Sequence, residues 1–372
     1  MSYSLRVFFE ILGFFYIFSY LKFINGLENS IMKKTNQITI KDIASRLNSS
    51  ASTVSRALND HPDISDETKS LVREAAERLD YQPNSLALSL RDSKSNVIGV
   101  CIPEIKHHFF SSVISGIENY SRQRGYHIII CQSSELVSRE IENIRVLMSM
   151  RVDGFLISIT KNTTDYKHLN SIEDKGIPVV YFDRPPQATD CDKVIIDDYA
   201  SAFKITEHII SLGRKKIFHF AGPSTVRIGA DRLRGYVDAM KKHNLHTGDD
   251  TIYYCDNYDD AVVQVNDLCD RGNIPDAIFA VNDLTAIGAQ KTLQLRKIAV
   301  PEQTAVAGFA NELFAEVAYP GLTTIDQNGQ LMGEKAVALL IRRIETQKMI
   351  PYETELVPTK LIIRGSTSSD VR

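Results

Sequence analysis

The chain has 372 residues, of which 43% are hydrophobic and 24% are charged. This composition is ordinary for a soluble globular protein, and the length exceeds one typical domain. The formal net charge of −3 neither indicates nor excludes a class of partner. Five cysteines are widely spread without a Cys-x-x-Cys pair: Cys101, Cys131, Cys191, Cys255 and Cys269. Their odd number and spacing favour free thiols in a reducing cytoplasm.

Residues 1–31 form a hydrophobic N-terminal extension. Within it, residues 11–21 are uncharged and rich in Phe, Tyr and Ile, but Glu10 and Lys22 bracket the run. A membrane span needs about 20 apolar residues, and no small-residue cleavage site of a secretory signal follows. Two interpretations stay open. In the preferred one Met32 is the biological start and the extension is not part of the native protein; in the other, the extension is a membrane anchor.

Residues 39–59 predict two short amphipathic helices joined by a tight turn. Thr39 and Asp42 can cap the first helix reciprocally. Asn48 stands where this helix must stop, and asparagine tolerates the left-handed conformation of a tight exit. Ser49 or Ser50 can then cap the second helix. The predicted inward faces are Ile40, Ile43, Ala44 and Leu47 in the first helix, and Val54, Ala57 and Leu58 in the second.

The opposite side of the second helix carries small and hydrogen-bonding side chains: Ala51, Ser52, Ser55 and Arg56. Such a surface lets a helix enter the roughly 12 Å wide major groove of DNA and reach base edges. A third helix is predicted from about Asp66 to Leu79, with Leu71, Val72, Ala75 and Leu79 facing inward. An ordinary helical hairpin would explain the caps and the apolar spacing, but it would not explain this continuation.

From Ile40 to Arg91 the sequence resembles the DNA-binding headpiece of the lactose/galactose repressor (LacI/GalR) family. The matching strings are Thr53-Val54-Ser55-Arg56, Asn59, and Tyr81-x-Pro83-Asn84-x-x-Ala87. Asn48 and Ser49 depart from the glycine and apolar residue usual in the turn. The resemblance implies a helix-turn-helix headpiece over 32–83 that binds operator DNA. The expected DNA contacts are Ala51, Ser52, Ser55, Arg56, Asn59, Asn84, Ala87 and Leu90.

The charge of this region gives the DNA prediction weak support. Residues 32–93 contain nine Lys or Arg and nine Asp or Glu, whereas phosphate contacts need cations. The second helix, however, contains Arg56 and no acid, so a basic-leaning face can still meet the phosphates. We therefore expect modest affinity from one headpiece, and hence a homodimer.

Residues 84–96 are predicted to be a hinge and linker, and two signals conflict there. Leu86, Leu88 and Leu90 alternate with small residues, which favours a strand, and an isolated eight-residue helix is too short to be stable in water. The family resemblance instead implies a hinge helix that orders on operator DNA, pairs with its twin and wedges Leu90 into the minor groove. The alternative role for Leu90 is a small core contact.

After residue 96 the sequence predicts an α/β fold of two doubly wound lobes with parallel sheets, because buried strand-like runs alternate with helices. The first runs are Val97 to Pro103, His127 to Cys131, Gly154 to Ile159, Pro178 to Phe182, and Val194 to Ile196. The pattern begins again with Lys216 to Ala221, Thr251 to Tyr254, Ala277 to Val281, and Thr304 to Gly308. The predicted lobes comprise 97–193 with 328–346, and 194–327 with 347–367.

Ligands of such lobes bind beyond the carboxyl ends of the strands. No Gly-x-Gly-x-x-Gly or Gly-x-x-x-x-Gly-Lys motif follows a strand, so we expect no nucleotide cofactor. No Gly-x-Ser-x-Gly or His-Glu-x-x-His motif is present, and an enzyme is therefore the weakest of the functional classes considered. His107 and His108 are adjacent and point in different directions, which favours a pocket-rim pair over a metal site.

Residues 96–367 resemble the effector domain of the same family, which has the type I periplasmic-binding-protein fold. The strings that carry this resemblance include Arg151-Val152-Asp153-Gly154, Ala280-Val281-Asn282-Asp283, Gly308-Phe309, and Leu322-Thr323-Thr324-x-x-Gln327. It implies a small-molecule effector, a sugar or sugar derivative, held between the lobes. The residues that match effector contacts are Phe109, Phe110, Asp183, Arg232, Tyr258 and Asn282.

Each of these residues also has a structural interpretation. Phe109 and Phe110 could belong to the core, Asp183 could be a turn carboxylate, and Arg232 could be a cation on a helix surface. One departure from the family matters: Ala310, followed by Asn311, stands where an Asp is frequent after Gly-Phe. The missing carboxylate removes acceptors for vicinal hydroxyls, so the effector binds differently or is not a simple monosaccharide.

The sequence thus predicts a homodimeric, effector-responsive transcription regulator, with a repressor preferred. The competing hypothesis is a solute-binding protein held by an N-terminal membrane segment. It would explain the lobes and residues 11–21, but it leaves the helix-turn-helix without a purpose.

Overall fold

The computed structural model describes residues 38–82, 94–187, 190–224, 226–346 and 351–368. The chain divides into two compact units between Asp92 and Ser93. The extension 1–31 and three expected DNA contacts, Asn84, Ala87 and Leu90, lie outside the described residues.

The first unit contains the predicted helices α1 (Ile40–Arg46), α2 (Ala51–Leu58) and α3 (Asp66–Arg78). The capping prediction for α1 is confirmed, because the backbone N–H of Thr39 donates to Asp42 Oδ2 at 2.7 Å. Asn48 adopts the expected left-handed conformation, with φ of 48°. Ser50 rather than Ser49 caps α2, and its hydroxyl accepts from the backbone N–H of Thr53.

The core of the headpiece differs from the prediction in α3. Val72 and Ala76 are buried, whereas Leu71 is 52% exposed. A helix turns about 100° per residue, so a face centred on Val72 and Ala76 carries Leu71 to the flank. The apolar pattern alone could not distinguish these two neighbouring faces.

The second unit contains the following elements. Its strands are β1 (Val97–Ile102), β2 (His127–Gln132), β3 (Gly154–Ile157), β4 (Val179–Phe182), β5 (Asp192–Ile195), β6 (Ile217–Ala221), β7 (Ile252–Tyr254), β8 (Ala277–Ala280), β9 (Ala305–Ala307), β10 (Thr324–Asp326), β11 (Thr354–Leu356) and β12 (Lys360–Ile362). Its helices are α4 (His108–Gln123), α5 (Val137–Ser149), α6 (Lys167–Glu173), α7 (Asp198–Ser211), α8 (Arg227–Lys242), α9 (Tyr258–Asp270), α10 (Asp283–Leu295), α11 (Leu313–Val317) and α12 (Gly329–Glu345).

Ten of these strands form two parallel sheets, which confirms the predicted fold class. The first lobe has the strand order β11-β5-β4-β3-β1-β2 and the second has β7-β6-β8-β9. In β1, Ile98, Val100 and Ile102 pack into the core that contains α4 and α12, while Cys101 packs with α5 on the other face. This alternation is the period of two that a strand imposes. Helices therefore cover both faces of the sheet.

One predicted boundary is wrong. The prediction placed residues from 194 onward, and all of 347–367, in the second lobe. Instead β5 pairs with β4, and β11 pairs with β5 at the edge of the first sheet. The short strand β11 alternates between exposed and half-buried positions, so it has no apolar run that could have revealed it. Strand β12, by contrast, pairs antiparallel with β10.

Two glycines bring α4 and α12 into backbone contact. A Cβ atom at Gly116 would lie 2.1 Å from Gln330 O, and one at Gly333 would lie 2.1 Å from Val113 O. No side chain fits at such distances without displacing the backbone of the other helix. The two helices are thus locked together at their crossing.

The core of the second lobe contains a histidine, His219. It is fully buried and stacks between Tyr236 and Phe279, with ring centroids 5.1 and 4.8 Å away. Its Nδ1 donates to Phe279 O at 2.9 Å, while Nε2 has no partner in the described part of the chain. Burial lowers the pKa of His219 to about 4, so the ring is neutral in the folded protein.

This burial predicts a loss of stability on acidification. Between pH 6.5 and 4 the unfolded chain binds a proton at His219 that the folded chain does not, so the free energy of unfolding decreases as the pH falls through this range. The contribution is at most about 3 kcal/mol. Urea unfolding of the wild type and of His219→Gln at several pH values measures it, and the variant should show a flatter dependence. His246→Gln, which removes an exposed histidine, should follow the wild type; parallel curves for His219→Gln and the wild type would contradict the prediction.

Candidate functional site

The headpiece presents the predicted face of α2 to solvent. Ser52 and Arg56 are exposed, and Ala51 and Ser55 are partly exposed. Arg56 Nη2 donates to Ser52 Oγ at 3.2 Å, a contact that orders the guanidinium and leaves most of its N–H groups available. Asn59 is different, because its Nδ2 donates to Ser55 O at 2.6 Å. The Asn59 side chain therefore closes the end of α2 in the free protein.

The second unit contains a cavity of about 370 Å³. It lies where loops after the strands of both lobes meet, which is the place expected for a ligand of doubly wound sheets. Five of the six predicted effector residues line it: Phe109, Phe110, Asp183, Arg232 and Asn282. Tyr258, the sixth, does not. It begins α9, and Asn257 before it faces the cavity and caps the helix by accepting from the backbone N–H of Asp260.

Arg232 is not a cation on a helix surface, because it is only 5% exposed. Its Nε donates to Asp198 Oδ1 at 2.8 Å, and its Nη1 donates to Val281 O at 2.6 Å. The guanidinium carbon also lies 3.5 Å from the ring centroid of Phe309. These contacts hold the group rigidly at the cavity wall, with N–H donors left over for a ligand.

Asp183 is 8% exposed and adopts a left-handed conformation with φ of 59°. Its carboxylate accepts no hydrogen bond from the described residues, and the Nε of Arg184 lies 3.6 Å from its Oδ2. Burial raises the pKa of Asp183 to about 6 despite the opposing charge of Arg184. This carboxylate is thus desolvated and has unused acceptor capacity.

Asn282 has a structural task in addition to its place at the cavity. Its Oδ1 accepts from the backbone N–H of Thr285 and so caps α10, while its Nδ2 donates to Asp256 O at 2.8 Å. The side chain thereby connects two loops that line the cavity. Only its remaining N–H and acceptor lone pair are available to a ligand.

Sequence reasoning missed several cavity residues, notably Phe309, Glu312 and Gln327. Gln327 is 4% exposed, and its amide forms no hydrogen bond with any residue that the structure describes. It ends the string Leu322-Thr323-Thr324-x-x-Gln327, which could have identified it. Phe309 likewise ends Gly308-Phe309.

The departure at Ala310 lies at the cavity as expected. Ala310 lines the wall with the unusual φ of 125° for a residue other than glycine. Asn311 does not replace the missing carboxylate there, because its Oδ1 accepts from Arg364 Nη2 at 2.9 Å. The next acid in the sequence, Glu312, is buried, and its carboxylate binds the backbone N–H of His108.

Glu312 connects the two lobes across the cavity. Its Oε2 accepts from the backbone N–H of His108 at 2.7 Å, at the first turn of α4. Its own backbone N–H donates to Asp283 Oδ2 at 2.7 Å. A carboxylate at a helix N-terminus satisfies free N–H groups and interacts favourably with the helix dipole. A second contact between lobes is the ion pair of Lys161 Nζ with Asp256 Oδ2, at 2.9 Å.

Removing the Glu312 carboxylate should weaken this connection. We expect Glu312→Ala to reduce the free energy of unfolding by about 1–2 kcal/mol, because the first turn of α4 loses its cap. Glu316→Ala serves as the control, since Glu316 is an exposed acid of the neighbouring helix α11. Chemical denaturation of the ligand-free proteins measures both; an equal loss in the two variants would contradict a specific cap.

Metal ligands, membrane-spanning helices and disulfide bonds were the other features considered for the described residues. There, no group of His, Cys, Asp and Glu side chains is arranged to hold a metal ion. No helix among these residues has the length and apolar content required to cross a bilayer. All five cysteines are free.

A helix-turn-helix headpiece followed by a two-lobed domain with a polar cavity defines a class of DNA-binding regulators, and comparisons agree with it. Residues 39–84 match the model of bacterial regulatory proteins of the lacI family, and residues 206–367 match the periplasmic binding protein-like domain. The NTD biosynthesis operon regulator NtdR of Bacillus subtilis (strain 168) is 33% identical over 88% of this chain and 99% of its own length. The transcriptional repressor PurR of Vibrio campbellii is 30% identical over 88% of this chain and 98% of its own.

Solved structures show the same architecture. The complex of the transcriptional regulator CelR with cellobiose has a TM-score of 0.68 at 26% identity, covering 88% of this chain and 99% of that one. A lac repressor dimer bound to operator has a TM-score of 0.79 at 23% identity, covering 89% and 99%, and shows the fold alone. The chain belongs to the lacI family of bacterial regulatory proteins. It is a DNA-binding transcription regulator with an effector domain.

Proposed function

We propose that the protein acts as a homodimeric repressor in the cytoplasm, and that a sugar or related metabolite in the cavity controls its affinity for operator DNA. The observation that carries the DNA part is the exposed face of α2, where Arg56 is ordered by Ser52 and no acid is present. A neutral headpiece supplies few phosphate contacts, so two headpieces are needed for tight binding. Relatives include a ribose operon repressor of Halalkalibacterium halodurans, 30% identical.

The proposed DNA contacts fall into two groups. Ala51, Ser52, Ser55 and Arg56 face the major groove, and Asn59 joins them if its amide exchanges the Ser55 carbonyl for DNA. Asn84, Ala87 and the wedge Leu90 belong to a proposed hinge, because this segment matches the sequence pattern of the family. The proposed effector contacts are the residues that line the cavity: Phe109, Phe110, Asp183, Arg232 and Asn282.

We further propose that the protein has no enzymatic activity. The cations of the cavity already have structural partners, as Arg232 has in Asp198, and the sequence contains no Gly-x-Ser-x-Gly or His-Glu-x-x-His motif. A membrane-tethered solute-binding protein is the alternative, and it would leave a capped helix-turn-helix without a role. The proposed repressor accounts for both units.

Replacing Arg56 tests the DNA proposal. Arg56→Ala should weaken binding to a specific operator by about 1–3 kcal/mol, because one base-reading side chain is lost. The operator is a duplex that the wild-type protein selects from a random pool, and gel shifts of the full-length dimer measure its affinity beside that of an unselected duplex.

The control is Arg78→Ala, which removes one exposed cation from α3, paired there with Glu74. It should leave the preference for the selected duplex intact. If Arg56→Ala weakened both duplexes equally, Arg56 would contact phosphate only and the proposed base contact would be wrong.

A further inference from the structure

The basic side chains of the cavity are all paired with carboxylates. Each of the four that line it has such a partner within 3.0 Å: Lys106 with Glu104, Lys161 with Asp256, Arg184 with Glu135, and Arg232 with Asp198. An anionic ligand such as a sugar phosphate would have to break one of these pairs to gain a counter-charge. The cavity is therefore poorly suited to an anion.

Its carboxylates, in contrast, outnumber the cations. Six acidic side chains line the cavity against four basic ones, which leaves a formal charge of −2. Asp283 and Glu312 use neutral donors: Thr324 Oγ1 and the Glu312 N–H bind Asp283, and the N–H of His108 binds Glu312. Burial correspondingly raises the pKa of Asp283 to about 7. Asp283 is therefore partly neutral near pH 7. The cation nearest to Asp183 is Arg184, whose Nε lies 3.6 Å from Asp183 Oδ2 and which is already paired with Glu135.

Asp183 is the acid that faces a ligand most directly. It is more than nine-tenths buried and borders the cavity, yet no described residue donates a hydrogen bond to it. Gln327, also more than nine-tenths buried, lines the same cavity with an unpaired amide. Buried polar groups normally have hydrogen-bond partners. Two buried polar groups without partners in one cavity indicate that a ligand supplies the missing hydrogen bonds.

We propose that the effector is an amine-bearing polyol, such as an amino sugar, whose ammonium group binds the carboxylate of Asp183. This inference rests on the proposed effector site and adds the charge of its ligand. A neutral sugar could donate hydroxyls to Asp183, but it would leave this carboxylate with only the guanidinium of Arg184, which it shares with Glu135, as a counter-charge. An ammonium group supplies both the donors and the counter-charge. The rings of Phe110 and Phe309 provide apolar surface for the carbon skeleton, as in many ligand sites.

A panel of matched sugars tests the proposal with the full-length protein. It contains 2-amino-, 3-amino- and 6-amino-hexoses, each beside its parent hexose, its N-acetyl derivative and its phosphate. Thermal shift followed by calorimetry should show binding of at least one amino sugar, tenfold or more tighter than its N-acetyl derivative and its parent. Equal or tighter binding of a neutral or phosphorylated sugar overturns the proposal, and so does the absence of binding by every amine.

The variant Asp183→Asn isolates the charge, and asparagine also tolerates the left-handed backbone found there. It should weaken amine binding tenfold or more while changing the affinity for the parent hexose less than threefold. Its thermal midpoint without ligand should be no lower than that of the wild type, because a desolvated carboxylate is removed. Asp249→Asn makes the same change in net charge at an exposed residue and should bind as the wild type does. Unchanged amine affinity in Asp183→Asn refutes the assigned contact.

Gel shifts on the selected operator separate this inference from the proposed function. If a neutral sugar and not an amine released the operator, the proposed effector-controlled repressor would be supported and the proposed amine ligand would be refuted. If the wild type enriched no duplex from the random pool, the proposed repressor would be refuted, whereas amine binding that depends on Asp183 would still support the cavity assignment.

Discussion

The effector domain is organised around one buried ion pair, that of Arg232 with Asp198. Asp198 begins α7 just after the chain leaves the first sheet, and Arg232 belongs to α8. The same guanidinium binds the carbonyl of Val281 at the end of β8 and stacks on Phe309 after β9. A buried charge is costly unless it is paired and hydrogen-bonded. This requirement fixes two helices and two strand ends relative to one another, and it places a rigid cation at the cavity wall.

The other cations of the cavity are also held by carboxylates. Two of the remaining acids, Glu312 and Asp283, accept hydrogen bonds from a helix N-terminus and a hydroxyl. Asp183 is the acid that accepts none from the described residues. Such an arrangement is preorganised, because its charges are oriented before any ligand arrives. No acid stands at Ala310, and the carboxylate of the nearby Glu312 is already bound by the N–H of His108.

The sequence predicted features that depend on local chemistry. Thr39, Asp42 and Asn48 act through their own backbone and near neighbours, so their roles were visible in the order of residues. Cavity residues such as Asp183 were found because loops after parallel strands converge at one edge. The prediction of Tyr258 was wrong by one position, because Asn257 lines the cavity instead. The direction of a side chain at the start of a helix depends on the geometry of the cap. The pairing of β11 with β5 involves partners about 160 residues apart in the chain, and no local pattern encodes it.

The contact of α4 with α12 has a consequence for how the cavity is connected to the first sheet. At Gly116 and Gly333 the two helices meet backbone to backbone, so no side chain lies between them at this crossing. Phe109, at the cavity, also touches Gly329 where α12 begins, with a Cβ at that glycine 3.0 Å from Phe109 O. Phe109 thus connects the cavity wall to the start of α12, and α12 packs on β3, β4 and β5 of the first sheet. A ligand that contacts Phe109 is therefore one helix away from the centre of that sheet.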